Sequence, residues 1–151
     1  MGDESLISRC GLYCGACYVY RAERDGGELL REIAEQNEVL PEEVKCKGCT
    51  GPEEDLWRNC RKCNTLTCLK EKGYEFCHEC KEFDDESCEL YARMTRFSGE
   101  RGEDIRASME RIRAGEAEAW LREQDAAWRC PNCNDPTSWY DKTCRHCGKP
   151  L

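Results

Sequence analysis

Fifteen cysteines in 151 residues, twelve of them in C-x-x-C pairs, constrain what this chain can fold into more than any other feature. A C-x-x-C pair makes a tight turn that points two sulfurs at one cation, so pairs of such turns complete a tetrahedral shell. Fifteen is odd, so complete disulfide pairing within a monomer is impossible. The rest of the composition raises the stakes. Leu, Ile, Val and Phe make up about one residue in seven, and the formal net charge is −8, a combination that usually leaves a chain disordered. Thiolates around a metal supply another source of order: a structural zinc in zinc-finger peptides contributes roughly 10–16 kcal/mol, against ~5–15 kcal/mol of net stability for an ordinary domain.

The tail "RCPNCNDPTSWYDKTCRHCGKPL" places Cys130, Cys133, Cys144 and Cys147 in the spacing C-x2-C-x10-C-x2-C. This is the pattern of a zinc ribbon, in which each knuckle belongs to a short β-hairpin. Four sulfurs close the shell and leave no position for water or substrate, which points to a structural zinc. The residue after each knuckle's second cysteine needs positive φ, supplied freely by Gly148 and tolerated by Asn134. His146 lies inside the second knuckle and is read as a surface residue. Arg129, Lys142, Arg145 and Lys149 make the tail locally basic, and Trp139 and Tyr140 accompany them. A nucleic acid would nevertheless meet a repulsive acidic body, so the two aromatics are expected to pack the hairpin.

Eleven cysteines precede the tail: Cys10, Cys14 and Cys17 in "CGLYCGAC", then Cys46, Cys49, Cys60, Cys63, Cys68, Cys77, Cys80 and Cys88. Four C-x-x-C turns suffice for two tetrahedral sites, with Cys10, Cys68 and Cys88 left to build a third or to replace knuckle members. Eleven sulfurs cannot fill three four-sulfur shells, so one position would fall to His78, a carboxylate, solvent or a partner. Zinc and an iron–sulfur cluster both suit such ligands. The C-x3-C-x2-C spacing of Cys10, Cys14 and Cys17 occurs in radical enzymes built on a four-iron cluster, but the alternating β/α pattern of their barrel is missing.

No cysteine falls between Cys88 and Cys130, and this gap divides the chain. Residues 1–100 read as a helical, knuckle-rich metal-binding domain, 101–128 as a connector and 129–151 as the ribbon. Ile105, Met109, Ile112 and Trp120 recur at near-helical spacing, which predicts one long helix over 103–126 with Gly115 as its weak point. That stripe either packs on the domain as core or stays exposed as a platform for a partner. Leu29, Leu30, Ile33 and Ala34 share one helix face, as do Leu90, Met94 and Phe97. No phosphate-binding glycine loop is present, because "ERDGGEL" lacks the strand and lysine that one requires. Only two histidines exist, both inside C-x-x-C turns, and no nucleophilic pair or catalytic residue emerges. Neither a signal-like start nor a membrane-length apolar run is found, and a soluble cytoplasmic protein is the expectation.

The order "CGLYCGAC", "CKGC", "CRKCNTLTC", "EFCHECKEFDDESC", then "EAWLREQDAAWRCPNC" and "SWYDKTCRHCG" resembles the cysteine-rich bacterial and archaeal family of domain of unknown function 3795, in its form with an appended zinc ribbon. The resemblance implies a cytosolic metal-binding protein with no established activity. Asn134 departs from the glycine common at that ribbon position. The expected fold class is therefore small, metal-dependent and mainly α, with a long helix and a C-terminal β zinc ribbon. Expected cofactors are zinc in the ribbon and zinc or an iron–sulfur cluster in the N-terminal region. The expected function is a protein-interaction or adaptor module. Its alternatives are an iron–sulfur redox or assembly protein and a nucleic-acid-binding ribbon.

Overall fold

The computed structural model describes residues 2–151. Seven α-helices occur among them: α1 Tyr18–Asp25, α2 Gly27–Gln36, α3 Asn64–Lys72, α4 Lys81–Asp84, α5 Glu89–Gly99, α6 Ile105–Arg113 and α7 Ala117–Ala127. Short 3-10 turns sit between them, several at the cysteine pairs. Helices α1 and α2 meet at Gly26, so "ERDGGEL" is a helix joint. Their facing sides bury Val19, Ala22, Leu29, Ile33 and Ala34 against Val44, Cys46 and Trp57, forming one apolar cluster. The second cluster gathers Ile7, Leu12, Tyr13 and Ala16 from the N-terminal loop, Phe83 and Tyr91, and Ile105, Met109, Trp120 and Leu121.

Three expectations are corrected. The segment read as one long helix is a hairpin of α6 and α7, because the chain turns at Gly115 with φ +87°, a conformation that glycine adopts without a Cβ clash. The turn lets the apolar stripe fold onto the body. Ile105 and Met109 are fully buried and Trp120 is 1% exposed, with its indole N–H donating to the Ser108 hydroxyl at 2.9 Å. The stripe is core, which was one of its two readings, and the platform reading falls.

On α5 the inward residue is Tyr91, whereas Leu90 and Met94 are half-buried and Phe97 is exposed. Cys88 caps this helix by accepting the Tyr91 N–H at 3.3 Å. The Tyr91 hydroxyl lies 3.0 Å from both the Cys10 and Ile105 carbonyl oxygens and can donate to either. A buried tyrosine needs such an acceptor, which the loop around Cys10 provides.

The tail, third, forms no β-strand among the described residues. Each knuckle closes with one isolated bridge, Arg129 to Pro136 and Thr143 to Pro150. Each bridge is flanked by two backbone bonds, Cys130 to Asp135 and Thr137 to Trp128 in the first and Cys144 to Lys149 and Leu151 to Lys142 in the second. The first goes no further because the Trp128 N–H is committed to the Gln124 carbonyl of α7. Inside each turn Asn134 and Gly148 bond the knuckle cysteines instead. The tail docks on the body: the Trp139 N–H donates to the Ala16 carbonyl at 3.0 Å, and Arg145 pairs with Glu32 at 3.0 Å. Tyr18 sets its ring edge-on to Trp139 and Tyr140.

Glu103 ties these parts together. It is buried at 8% exposure and accepts the Tyr13 N–H at 2.9 Å. Burial raises its carboxyl to about 7, partly opposed by the Tyr13 N–H and the neighbouring Trp139 indole. A folded-state value above the unfolded one means that the folded protein holds the proton longer. This contribution is therefore present at acid pH and is lost as pH rises from about 4.5 to about 7. The span corresponds to about 3 kcal/mol. Acid release of metal from thiolates slopes the other way, so the check is a difference. Glu103→Gln should remove the Glu103 slope from a denaturation series across that window, and equal slopes in variant and wild type would contradict it.

Candidate metal centres

The two tail knuckles repeat one hydrogen-bond frame. Cys130 donates to the Asp135 carbonyl at 2.8 Å while Asn134 N–H returns to the Cys130 carbonyl at 2.8 Å. In the second turn Cys144 donates to Lys149 at 2.8 Å and Gly148 N–H returns to Cys144 at 2.9 Å. Asn134 and Gly148 occupy the equivalent place with φ +63° and +72°, as their spacing predicted. The frame aims four sulfurs inward, and all four lie within 4.8 Å of one another. The Cys130 and Cys147 sulfurs are 3.7 Å apart and the Cys133 and Cys144 sulfurs 3.5 Å. A tetrahedral zinc with ~2.3 Å bonds sets its sulfurs about 3.8 Å apart, so the donor set fits one ion.

The thiols of this group are not equivalent. The Lys149 backbone N–H, then the Asn132 side chain and the neighbouring thiols, hold Cys147 down to about 6. At Cys133 the Asp135 N–H favours the thiolate, yet burial and the three other thiols push it up to about 12. Close thiols share protons in this way until a cation replaces them. His146 stands outside the shell, exposed, with Nδ1 3.9 Å from an Asp135 carboxylate oxygen.

The eleven remaining cysteines fall into two neighbourhoods that meet at Cys10, whose charge also acts on Cys77. The first collects Cys10, Cys14, Cys17, Cys46, Cys49, Cys60 and Cys63, which act on one another electrostatically. Here the "CKGC" loop is pressed onto the N-terminal segment, where a Cβ at Gly48 would collide with the Ser5 carbonyl oxygen. Backbone N–H groups already point at several sulfurs: Cys49 at Cys14, Arg9 at Cys49, and Tyr20 and Val19 at Cys17. Burial pushes Cys10 and Cys60 to about 12 and Cys17 to about 11. Seven sulfurs make one tetrathiolate shell with three over, or two shells sharing a sulfur.

The second neighbourhood holds Cys68, Cys77, Cys80 and Cys88, all half-buried. Cys68 comes from α3, the Cys77 and Cys80 pair from the turn before α4, and Cys88 from the cap of α5. His78, within that turn, stacks on Phe76 with ring centres 5.6 Å apart. Nothing in the spacing alone separates this quartet from the other seven. Glu103 and Tyr91 were not singled out by the sequence either, because one acid or tyrosine among many carries no mark of burial. No helix among the described residues is long and apolar enough to cross a membrane.

Residues 6–93 match the family described as Protein of unknown function (DUF3795), a stretch that contains the eleven N-terminal cysteines and stops before the tail quartet. No curated protein and no solved structure matches the chain. With more than half of its length matched, the chain belongs to the DUF3795 family.

Proposed function

We propose that the protein is a multi-site metal-binding module in which zinc at Cys130, Cys133, Cys144 and Cys147 fixes the tail as a surface for protein partners. The observation that carries the metal reading is the convergence of four sulfurs within 4.8 Å at zinc-like separations. A four-thiolate shell is closed and suits a structural role. The partner reading is supported by an exposed ledge where the tail meets α5. Tyr140 is 55% and Phe97 40% exposed, and the Arg101 guanidinium lies over Phe97, 3.2 Å from its ring centre, and hydrogen-bonds the Tyr140 hydroxyl. Aromatic and arginine side chains are the usual anchors of protein interfaces. Two of the four basic tail residues are already engaged by carboxylates, Arg129 by Asp125 and Arg145 by Asp141 and Glu32. That engagement weakens the case for a nucleic-acid groove.

Cys144→Ser is expected to release about one zinc per chain while the helical circular dichroism of the body persists; metal analysis of purified variant and wild type checks this. Unchanged zinc would remove the assignment.

One observation favours a second reading for the N-terminal region. Among the described residues only the tail quartet has its ligand atoms drawn within 4.8 Å of one another. An iron–sulfur cluster interposes several atoms between its thiolates and holds them further apart than a single ion does. Iron–sulfur chemistry is therefore the alternative for the eleven N-terminal cysteines, and a broad absorption near 400 nm in anaerobic protein identifies it.

A further inference from the structure

The quartet of Cys68, Cys77, Cys80 and Cys88 lines a small cavity of about 30 Å³ whose other walls are Thr65, Leu69, Lys72, Phe83, Leu90 and Tyr91. Four cysteines lining one cavity supply the donor set that thiophilic metals select, with sulfurs spread wider than the 4.8 Å span of the tail quartet.

The packing gives an independent reason for a ligand here. Helix α3 buries Leu66 and Leu69, yet neither belongs to either apolar cluster of the protein. Shared burial with the main cores therefore does little to hold α3. Its Cys68 instead shares the lining of one cavity with Cys77, Cys80 and Cys88. The remaining groups also suit an anionic centre. The Tyr91 N–H already bonds to the Cys88 sulfur at 3.3 Å, and the Lys72 ammonium lies 3.5 Å from the Cys80 sulfur, steadied by Glu82 at 2.8 Å. N–H and ammonium donors stabilise thiolate charge, and four thiolates around a divalent ion leave −2 to be offset.

We propose that Cys68, Cys77, Cys80 and Cys88 form a second tetrathiolate metal centre that clamps α3 to α4 and α5. It rests on the reading of the protein as a multi-site metal binder but shares no ligand with the tail. Metal enters by displacing the thiol protons, with no change in sulfur oxidation state.

The test is residue-resolved alkylation of the full-length protein, purified anaerobically, before and after stepwise chelation. Cys68, Cys77, Cys80 and Cys88 should resist alkylation together and become reactive together at one chelator concentration. None of the four residues is fully buried, so alkylation of Cys68 and Cys80 before any metal is released would overturn the proposal. Cys88→Ser should in parallel remove the metal of one centre. Loss of one zinc marks a single ion; joint loss of iron and acid-labile sulfide marks a cluster. Unchanged metal in Cys88→Ser with zinc lost from Cys144→Ser would end this proposal and leave the tail site standing. The reverse pattern would end the tail assignment alone. If Cys88→Ser fails to fold, the wild-type alkylation pattern decides by itself.

Discussion

Removing the metal with a strong chelator under reducing conditions is expected to abolish most of the helical circular dichroism, not merely to loosen the tail. The reason lies in how little apolar material organises each part. One cluster joins only α1, α2 and the segment around Val44 and Trp57, and the other joins the N-terminal loop to Phe83, Tyr91 and the α6–α7 hairpin. Residues 38–63 contain no α-helix, only short 3-10 turns, and they carry Cys46, Cys49, Cys60 and Cys63. Fixing each residue of such a segment costs ~1–2 kcal/mol of backbone entropy. A filled structural zinc site is worth roughly 10–16 kcal/mol in zinc-finger peptides, as much as the ~5–15 kcal/mol net stability of a whole domain. A cooperative melt that survives verified metal loss would contradict this expectation.

Trp120→Ala is expected to destabilise the metal-loaded protein by about 3–5 kcal/mol, the range for truncating a large buried aromatic. Trp120 is 1% exposed, meets Tyr13 edge-to-face with ring centres 6.0 Å apart, and hydrogen-bonds Ser108 across the α6–α7 hairpin. Truncation opens a cavity against the loop that leads into Cys14 and leaves the Ser108 hydroxyl without this partner. Denaturant melts of metal-loaded variant and wild type measure the effect. A shift below about 1 kcal/mol, typical of surface positions, would show that Trp120 is not part of the core.

The tail site was legible in the sequence because its ligands are local. Two C-x-x-C turns and the positive-φ residues Asn134 and Gly148 specify a knuckle within a few residues, and the structure places the four sulfurs together. The absence of strands was not legible, since it depends on where α7 ends and thus on the Trp128 N–H going back to Gln124 rather than across to the tail. The α2 face followed from 3.6-residue periodicity, with Leu29, Ile33 and Ala34 buried. On α5 the same reasoning chose Leu90 and Phe97 over Tyr91, because the orientation of that helix is set by contacts from Cys10 and Ile105, far away in sequence. Gly115 was recognised as weak, but whether a glycine bends a helix or reverses the chain depends on the core that receives Trp120. The grouping of the eleven N-terminal cysteines is likewise a tertiary fact. Spacing identifies a pair, whereas the company each pair keeps is decided by how α3, α4 and α5 pack.

The central claim is that thiolate metal centres, more than one per chain, hold this protein together. Intact mass measured under native conditions on anaerobically purified protein, beside the denatured mass of the same sample, tests it most directly. The account predicts a native mass exceeding that of the metal-free chain by at least two centres, one for Cys130, Cys133, Cys144 and Cys147 and one for Cys68, Cys77, Cys80 and Cys88. A folded chain whose native mass equals its metal-free mass would contradict it.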